Sequence, residues 1–460
     1  MPACTMLRRA LQDRLQAPVG PFPVVFLTGP RQSGKTTLAR ATFPDFAYLN
    51  LEDMQTRQFA LGDPRGFLAQ LKGAPGVILD EAQRVPDIYS SLQQPVDEGR
   101  MGPAILAGSQ QFLLSHQISQ TLAGRSAALE LLPFSVAELC ERPPLEPEAF
   151  AQPQDVPPSA PSLVLDDLLF SGCFPPIHDR HLPRDAWLDG YLRTYVERDV
   201  RLLANIGNLH TFLRFLALCA GRSGQVLNLS ALGGEVGVSH TTARAWISVL
   251  RASYVLDLLP PHHESFNTRT TKAPKLHFLD TGLVCHLLGL RSAGDLRSHP
   301  LRGAIFETFI VAALRKLFLH QGQRPPLFFW RAGAGREVDV VIDLGSRCLP
   351  VESRSARPSL QTHFAISMPT PASPAARAAS SCTPAVSTRT EAPTASAPGG
   401  HAPSPDTRMA ARRRPSHPIR SSIAAGAHQP SHKTAQRGGR SATGRGRTGG
   451  DVSPPTSTWP

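Results

Sequence analysis

A short stretch from Gly29 to Thr36 limits the folds open to this chain more than any other feature of the sequence. It reads Gly-Pro-Arg-Gln-Ser-Gly-Lys-Thr and fits the pattern G-x-x-x-x-G-K-S/T at every position. An apolar segment, Pro23 to Thr28, precedes it, and a helical pattern, Lys35 to Ala41, follows it. A strand, a glycine-rich turn and a helix in this order predict an α/β fold with a parallel sheet.

The same turn predicts a binding site for ATP. Its glycines let backbone N–H groups surround phosphates, and the helix that follows adds the positive end of its dipole. We expect Lys35 to reach the β- and γ-phosphates and the Thr36 hydroxyl to ligate Mg²⁺. The residues expected to bind the nucleotide are Gly29, Pro30, Arg31, Gln32, Ser33, Gly34, Lys35, Thr36 and Thr37.

A second apolar strand, Gly76 to Leu79, ends in Asp80 and Glu81, about 45 residues after the glycine-rich turn. We expect Asp80 to hold Mg²⁺ through water and Glu81 to polarise the attacking water. Acidic residues also end ordinary buried strands, so this pattern is weak alone. Together with the glycine-rich turn it is typical of enzymes that hydrolyse nucleotides.

Two more positions are candidates for contact with the γ-phosphate end of the nucleotide. Ser109 or Gln110, after the strand Ala104 to Ala107, would touch the phosphate or the water, and the alternative is a plain strand end. Arg125 would stabilise transition-state charge in cis or in trans, although a solvated surface arginine fits equally well. We therefore predict that the catalytic residues are Glu81, Lys35, Arg125 and Ser109.

Composition narrows the class of protein. No apolar run reaches the ~18–20 residues of a membrane span, and the N-terminus lacks a signal pattern. We expect a cytoplasmic protein with no membrane partner. The seven cysteines are scattered and none forms a C-x-x-C pair, which argues against a disulfide framework or a zinc site.

The positive charge of the chain is concentrated at its C-terminal end. From Arg354 onward there are 14 Lys and Arg against three Asp and Glu, a net charge of +11, which leaves +1 for the first 353 residues. The overall charge therefore says little about a nucleic-acid surface on the folded part. This end is rich in Pro, Ser, Thr, Ala, Gly and Arg, and we predict a disordered tail.

The middle of the chain, from Leu163 to about Leu259, has a helical pattern that contains a helix-turn-helix. Two helices, Ser230 to Glu235 and His240 to Leu250, flank a turn that contains Gly237. In a DNA reader the second helix would present His240, Thr241, Arg244 and Ser248. It carries little of the clustered positive charge that phosphate binding requires, so a structural or lid role for a winged helix is equally open.

Three carboxylates near the end of the folded part have the order of a restriction-endonuclease-like metal site. Glu307 lies in the predicted helix Phe306 to Phe318, Asp339 lies in a predicted strand, and Glu352 ends another. Such carboxylates would hold Mg²⁺, with a lysine to steady the attacking water. The sequence has Arg354 in place of that lysine, and arginine stays protonated. We therefore favour a nuclease-like fold without nuclease activity.

Eight motifs are jointly specific: Thr28 to Thr37, Leu79 to Gln83, Gly108 to Gln111, Leu122 to Arg125, Tyr191 to Val200, Phe278 to Leu283, Phe306-Glu307 and Arg336 to Asp339. With them, about 350 residues resemble a family of bacterial and archaeal AAA-type ATPases that carry a C-terminal domain of unknown function. The resemblance implies an ATPase core, a winged-helix segment and a nuclease-like C-terminal domain. Members of the family typically continue from V-E with I-K, so Ser353-Arg354 suggests a change of reading frame.

The predicted fold is α/β, a P-loop NTPase with a parallel sheet, followed by a winged-helix-like domain and a partial α/β nuclease-like domain. The predicted boundaries are 1–140 for the ATPase domain, 141–162 for a linker, 163–262 for the winged-helix-like domain, 263–352 for the truncated nuclease-like domain and 353–460 for the tail. The expected function is a Mg²⁺-dependent ATPase that works as a switch or motor. The alternatives are a DNA-binding regulator that uses ATP as a ligand and an ATP-coupled nuclease-like protein. DNA, a protein partner and a second copy of the chain all remain open as partners.

Overall fold

A parallel five-stranded sheet forms the N-terminal part of the computed structural model. Its strands are β1 (Val24–Thr28), β2 (Ala47–Asn50), β3 (Val77–Asp80), β4 (Ala104–Gly108) and β5 (Ser126–Glu130). They lie in the order β2-β3-β4-β1-β5, and every neighbouring pair is parallel. The predicted α/β class and parallel sheet are confirmed. Four of the strands, including one predicted at Tyr48 to Leu51, were expected within one residue of their bounds, and β5 is the additional strand.

The residues described by the structure are 7–19, 21–109, 122, 124–147, 163–194, 208–262, 273–331, 336–345 and 347–353. All of them lie in the first of the two units into which the chain divides, Met1–Ser387 and Thr388–Pro460. Several predictions fall outside the described residues. They concern Gln110, the second part of the linker, the second half of the motif Tyr191 to Val200, and the tail from Arg354.

Helices pack on both faces of the parallel sheet because its strands are apolar on both sides. In β1, Val24 and Phe26 belong to the core on one face, while Val25 and Leu27 belong to the core on the other. The helices of this part are α1 (Leu11–Gln16), α2 (Lys35–Thr42), α3 (Met54–Gly62), α4 (Pro64–Ala69), α5 (Asp87–Asp97) and α6 (Val136–Leu139).

Helices dominate the next part of the chain, and a small antiparallel sheet of order β6-β8-β7 accompanies them. The helices are α7 (Leu165–Ser171), α8 (Pro175–His178), α9 (Arg184–Tyr191), α10 (Leu209–Gly221), α11 (Leu229–Val236) and α12 (His240–Ala252). The strands are β6 (Gln225–Val226), β7 (Leu256–Leu259) and β8 (Lys275–Phe278). Helices α11 and α12 form the predicted helix-turn-helix, since Gly237 takes a φ of 75° at the turn and the Ser239 side chain caps α12.

A long helix and a second antiparallel sheet follow. The helices are α13 (Thr281–Leu287), α14 (Ala293–Ser298) and α15 (Arg302–Leu319). The strands β9 (Leu327–Arg331), β10 (Glu337–Asp343) and β11 (Cys348–Val351) lie in the order β11-β10-β9. One face of α15 packs on this sheet through an apolar core that includes Val311, Phe318 and Val340. No helix in the described part of the chain has the length and apolarity needed to cross a bilayer.

Candidate functional site

The order of the parallel strands brings three polar strand ends to one edge of the sheet. Strands β3 and β1 flank β4, so Glu81, Ser109 and the turn after Thr28 come from adjacent positions. Ligands of open parallel sheets bind at this carboxyl edge. The candidate site is therefore formed by residues that the sequence analysis had selected.

Two glycines allow the turn between β1 and α2 to close tightly. Gly29 has a φ of 147°, and a Cβ atom there would lie 2.1 Å from the carbonyl oxygen of Leu131. Gly34 has a φ of 91° and occupies the N-cap of α2. Side chains would strain the backbone at both positions. The geometry explains why the pattern requires glycine twice.

The side chain of Lys35 is folded back onto its own turn. Its Nζ donates hydrogen bonds to the carbonyl oxygens of Gly29 (3.0 Å) and Pro30 (2.8 Å), and the residue is only 6% exposed. Burial lowers the pKa of Lys35 to about 8, although Glu81 and Asp80 oppose this shift. A cation held among carbonyl oxygens at this turn is suited to bind a phosphate.

Asp80 holds the hydroxyl of Thr36. The Thr36 Oγ1 donates to Asp80 Oδ2 (2.6 Å), the Tyr48 hydroxyl donates to the same oxygen (3.2 Å), and the N–H of Glu81 donates to Oδ1 (3.1 Å). Burial and the neighbouring Asp80 raise the pKa of Tyr48 to about 12. No local motif marks Tyr48 as a site residue, because its partner lies on the neighbouring strand β3.

Glu81 has an unusual backbone and two polar partners. Its φ of 53° is rare for a residue with a side chain. Its Oε2 accepts hydrogen bonds from the Gln83 amide and from the Ser109 hydroxyl, the latter at 3.5 Å. Gln83 also donates to the Ser109 oxygen (3.3 Å). Burial raises the pKa of Glu81, while Lys35 and Gln83 oppose the shift.

The site residues fit a nucleotide with Mg²⁺. The hydroxyl oxygen of Ser33, in the glycine-rich turn, is buried and has no hydrogen-bond partner within the described part of the chain. Such a group needs a partner, and a phosphate oxygen would supply one. Thr36 and Asp80 present two oxygens within 2.6 Å of each other, the ligand type that Mg²⁺ prefers.

A buried arginine that was not predicted from the sequence donates hydrogen bonds to the glycine-rich turn and to its neighbours. Arg9 donates to the carbonyl oxygens of Ser33 (2.6 Å) and Leu132 (2.6 Å) and to Glu138 Oε1 (3.0 Å). Burial favours the neutral form of Glu138, but His320, Arg9 and two backbone N–H groups outweigh it and lower the pKa of Glu138 to about 2. The partners lie far apart in the chain, so no local motif marks them.

The prediction that Arg125 acts in cis is wrong. Its carbonyl oxygen accepts from the N–H of Val24, so it lies at the amino edge of the sheet, opposite the glycine-rich turn. Its guanidinium pairs with Asp97 at the end of α5. Because β1 separates the two edges, Arg125 cannot reach a phosphate held by its own chain. A role in trans stays a prediction.

Two of the three carboxylates that were considered for a nuclease-like metal site have other partners. Lys275 donates to Glu307 Oε1 (2.7 Å) and also pairs with Glu337, while Asp339 accepts from the Ser353 hydroxyl (2.6 Å). Burial raises the pKa of Glu307 to about 7, although Lys275 opposes this shift. Within the residues the structure describes, Glu307, Asp339 and Glu352 do not come together as a group of metal ligands.

The helix-turn-helix presents its polar face to solvent. The residues predicted for a DNA reader are all exposed on α12, namely His240, Thr241, Arg244 and Ser248. This exposure is compatible with either role considered for the segment.

Three families match consecutive parts of the chain. An AAA domain matches residues 21–140, a domain of unknown function (DUF8612) matches residues 163–294, and a second one (DUF4143) matches residues 302–367. The AAA match coincides with the parallel sheet and its glycine-rich turn. The last match continues beyond Glu352, where the sequence analysis placed the end of the fold.

Two mycobacterial proteins are similar over most of their length. They are the uncharacterized proteins Rv2008c of Mycobacterium tuberculosis and Mb2031c of Mycobacterium bovis, each 32% identical over 367 residues, which is 78% of this chain and 76% of the relative.

Solved structures show more distant likeness. A Walker-type ATPase of Pyrococcus abyssi has a TM-score of 0.38 and 15% identity, and the match covers 61% of this chain and 96% of that one. The RuvB Holliday junction branch migration motor of Thermotoga maritima has a TM-score of 0.29 and 19% identity, over 54% of this chain and 89% of that one. The sequence relatives and the AAA match together identify the chain. It belongs to the family of AAA-type P-loop ATPases that carry C-terminal domains of unknown function.

Proposed function

We propose that this protein binds Mg²⁺ and ATP in the turn between β1 and α2 and hydrolyses ATP to ADP and phosphate. The observation that carries the proposal is the contact of Thr36 with Asp80 at 2.6 Å, beside a Glu81 that two polar side chains hold. A residue pair for Mg²⁺ and an adjacent, partly buried carboxylate are the groups that nucleotide hydrolysis needs.

Each residue has one task in the proposed reaction. The ammonium of Lys35 exchanges the carbonyl oxygens of Gly29 and Pro30 for the β- and γ-phosphates. Thr36 and Asp80 would hold Mg²⁺, which neutralises charge on the phosphate oxygens when it is bound.

Glu81 accepts a proton from the attacking water. The hydrogen bonds from Gln83 and Ser109 orient its carboxylate, and the bond from Gln83 opposes the rise in pKa that burial causes.

We further propose that the nucleotide state is passed to the helical part, as in a switch. The Tyr254 hydroxyl, which follows α12, donates to Thr28 Oγ1 (2.8 Å) at the end of β1. Lys316 of α15 donates to the carbonyl oxygen of Phe134 (3.0 Å). A shift of the turn on ATP binding would therefore act on buried hydrogen bonds to both later parts of the chain. We also propose that the protein acts in the cytoplasm and that the switch acts on DNA or on a protein partner.

Two substitutions test the proposed reaction. Lys35→Ala is expected to remove nucleotide binding measured by calorimetry. Glu81→Gln is expected to keep binding and to lower turnover by about 100-fold or more, since it removes the general base. Glu98→Gln, at the exposed end of α5, serves as the matched control and should leave both unchanged. Unchanged hydrolysis in Glu81→Gln would refute the role of this residue.

We propose as a second possibility that Arg125 of one copy of the chain reaches the nucleotide bound by a neighbouring copy. In that case turnover per chain rises with protein concentration, and Arg125→Ala abolishes the rise without weakening ATP binding. Turnover that does not depend on concentration in the native protein would exclude this role.

A further inference from the structure

Three side chains with metal-binding atoms meet at the rim of the C-terminal sheet, far from the nucleotide site in sequence. They are His262, Asp343 and Cys348, and their ligand atoms all lie within 4.8 Å of one another. This is the only such group of His, Cys, Asp and Glu side chains within the described ranges. No C-x-x-C pattern marks this group in the sequence, because it contains a single cysteine.

Strand pairing positions two of the three side chains. Asp343 ends β10 and Cys348 begins β11, and the two residues are directly opposite each other in the antiparallel ladder. Opposite residues in such a ladder place their side chains on the same face of the sheet. The N–H of Gly345 donates to Asp343 Oδ1 (3.1 Å), which fixes the carboxylate with Oδ2 towards His262.

The third side chain comes from the segment that follows β7. The N–H of His262 donates to the carbonyl oxygen of Phe329 on β9, and Pro261 forms an isolated bridge with the same residue. The imidazole also packs edge-on against the ring of Phe328, with ring centroids 5.5 Å apart. Backbone and ring contacts thus hold this imidazole at the sheet.

Two of the three distances between the ligand atoms are close to those expected around a tetrahedral ion. His262 Nε2 lies 3.4 Å from Asp343 Oδ2 and 3.8 Å from Cys348 Sγ. With metal bonds of about 2.0–2.1 Å to N and O and 2.3 Å to S, tetrahedral angles separate N from O by about 3.3 Å and N from S by about 3.6 Å. The ligand atoms of Asp343 and Cys348 lie within 4.8 Å of each other, so side-chain movements of about 1 Å would complete the site.

The same geometry excludes a Cys-His-Asp nucleophile arrangement. In such a triad the base uses one ring nitrogen for the nucleophile and the other for the carboxylate. Here both Cys348 Sγ and Asp343 Oδ2 approach Nε2 of His262. The carboxylate and the sulfur thus approach one ring nitrogen, which is not the arrangement of a triad. A metal ion would accept a lone pair from each of the three groups at this point.

We propose that His262 Nε2, Asp343 Oδ2 and Cys348 Sγ bind Zn²⁺, with water in the fourth position. A thiolate, an imidazole and a carboxylate form a ligand set suited to zinc rather than to Mg²⁺. Cys348 binds as the thiolate, so the thiol proton is released to solvent when the ion enters. His262 and Cys348 are 4% and 7% exposed, while the Asp343 side chain is 18% exposed and marks the path of entry.

The ion would connect two parts of the chain. His262 follows β7 of the small antiparallel sheet, whereas the other two ligands belong to the sheet that packs on α15. Metal binding would therefore stabilise the arrangement of the small sheet relative to the C-terminal sheet. It makes no use of the nucleotide site, so this proposal and the proposed ATPase activity stand separately.

To test the proposed site, the full-length protein is treated with a chelator and then titrated with Co²⁺. Tetrahedral Co²⁺ bound to a thiolate gives a charge-transfer band in the near ultraviolet and visible bands of high intensity. We expect both, saturating at one ion per chain, and we expect Zn²⁺ to displace the Co²⁺ and to raise the temperature of unfolding. A native protein without the charge-transfer band, or without any effect of micromolar Zn²⁺ on unfolding, overturns the proposal.

Cys348→Ser should remove the charge-transfer band and weaken Zn²⁺ binding by about 100-fold or more. Cys219→Ser, a substitution of another buried thiol, is the matched control and should keep the band. A band retained in Cys348→Ser would assign the thiolate to another cysteine and reject the site. If Cys348→Ser fails to fold, Asp343→Asn provides the test. We expect this variant to bind Zn²⁺ more weakly and to keep a weaker charge-transfer band with Co²⁺. ATP binding at the turn should be the same in all variants that fold.

Discussion

At the scale of single residues, the charge state of Glu81 governs the proposed hydrolysis. Burial raises the pKa of this carboxyl, and the hydrogen bond from Gln83 is one of the contacts that lower it. Because a general base works only when deprotonated, turnover should rise with pH through the pKa of Glu81 and level off above it. Gln83 therefore acts through Glu81 and is a positioning residue.

Gln83→Leu should move the acid limb of the pH–rate profile to higher pH. A hydrogen bond to a charged group contributes about 1.5 kcal/mol, which corresponds to about one pKa unit. Turnover at a pH below the midpoint should fall about tenfold, and it should approach the native value at high pH. The profile of kcat against pH is the measurement.

The control is Gln94→Leu, because Gln94 donates to Glu98 on the exposed side of α5. It should leave the profile unchanged. An identical midpoint in native protein and Gln83→Leu would show that the amide does not set the protonation of Glu81.

The sequence predicted the residues with strong local patterns and missed those with distant partners. The glycine-rich turn and the acidic end of β3 follow from spacing, and the structure brings together Thr36 and Asp80, the two residues expected to hold Mg²⁺. Tyr48 and Arg9 were missed because their contacts depend on strand order and on packing across the chain. The spacing of motifs along the sequence also does not indicate at which edge of the sheet Arg125 lies.

At the scale of elements, the segment before α1 supports the nucleotide-binding turn through one buried ion pair. Arg9 connects Ser33 in that turn with Glu138 in α6, and both charged side chains are less than a tenth exposed. Removing one partner of a buried pair leaves an uncompensated charge, which costs about 3–5 kcal/mol. The pair should therefore be visible in the free energy of unfolding.

Arg9→Met and Glu138→Met should each lower the free energy of unfolding by about 3–5 kcal/mol in urea titrations. The double variant should be more stable than the sum of the two losses predicts, by more than about 1 kcal/mol, because it buries no lone charge. Arg8→Met is the control, since Arg8 pairs with Asp13 on the surface and should change stability little. Strict additivity would contradict a coupled pair.

The same pair predicts a dependence of stability on pH. Glu138 has an ordinary pKa of 4.5 and a pKa of about 2 in the folded protein. A lowered folded-state pKa contributes stability above the unfolded-state value, and this contribution is lost as pH falls from about 4.5 towards 2. The difference in unfolding free energy between native protein and Glu138→Gln should therefore shrink across this range. A constant difference in acid titrations of unfolding would contradict the assignment.

At the scale of the whole molecule, the parts predicted as separate domains share apolar cores. One core contains Phe134 from the end of the ATPase part, Trp246 from the helix-turn-helix and Phe309 from α15. Local patterns identified some helices of these parts, among them α11, α12 and α15, because hydrophobic periodicity and capping residues depend only on a few neighbouring positions. They contain no information on which surfaces pack together, so the contacts that join these parts required the structure.

The uneven distribution of charge along the chain predicts where DNA would bind. The first 353 residues carry a net charge of +1, whereas the remainder carries +11. We expect the full chain to bind duplex DNA without sequence preference, with affinity that falls steeply as salt concentration rises. A chain that ends at Ser353 should lose most of this affinity and most of the salt dependence, while it keeps its ATP turnover as evidence of folding. Equal salt slopes for the two chains would instead assign DNA binding to the exposed face of α12, where Arg244 lies.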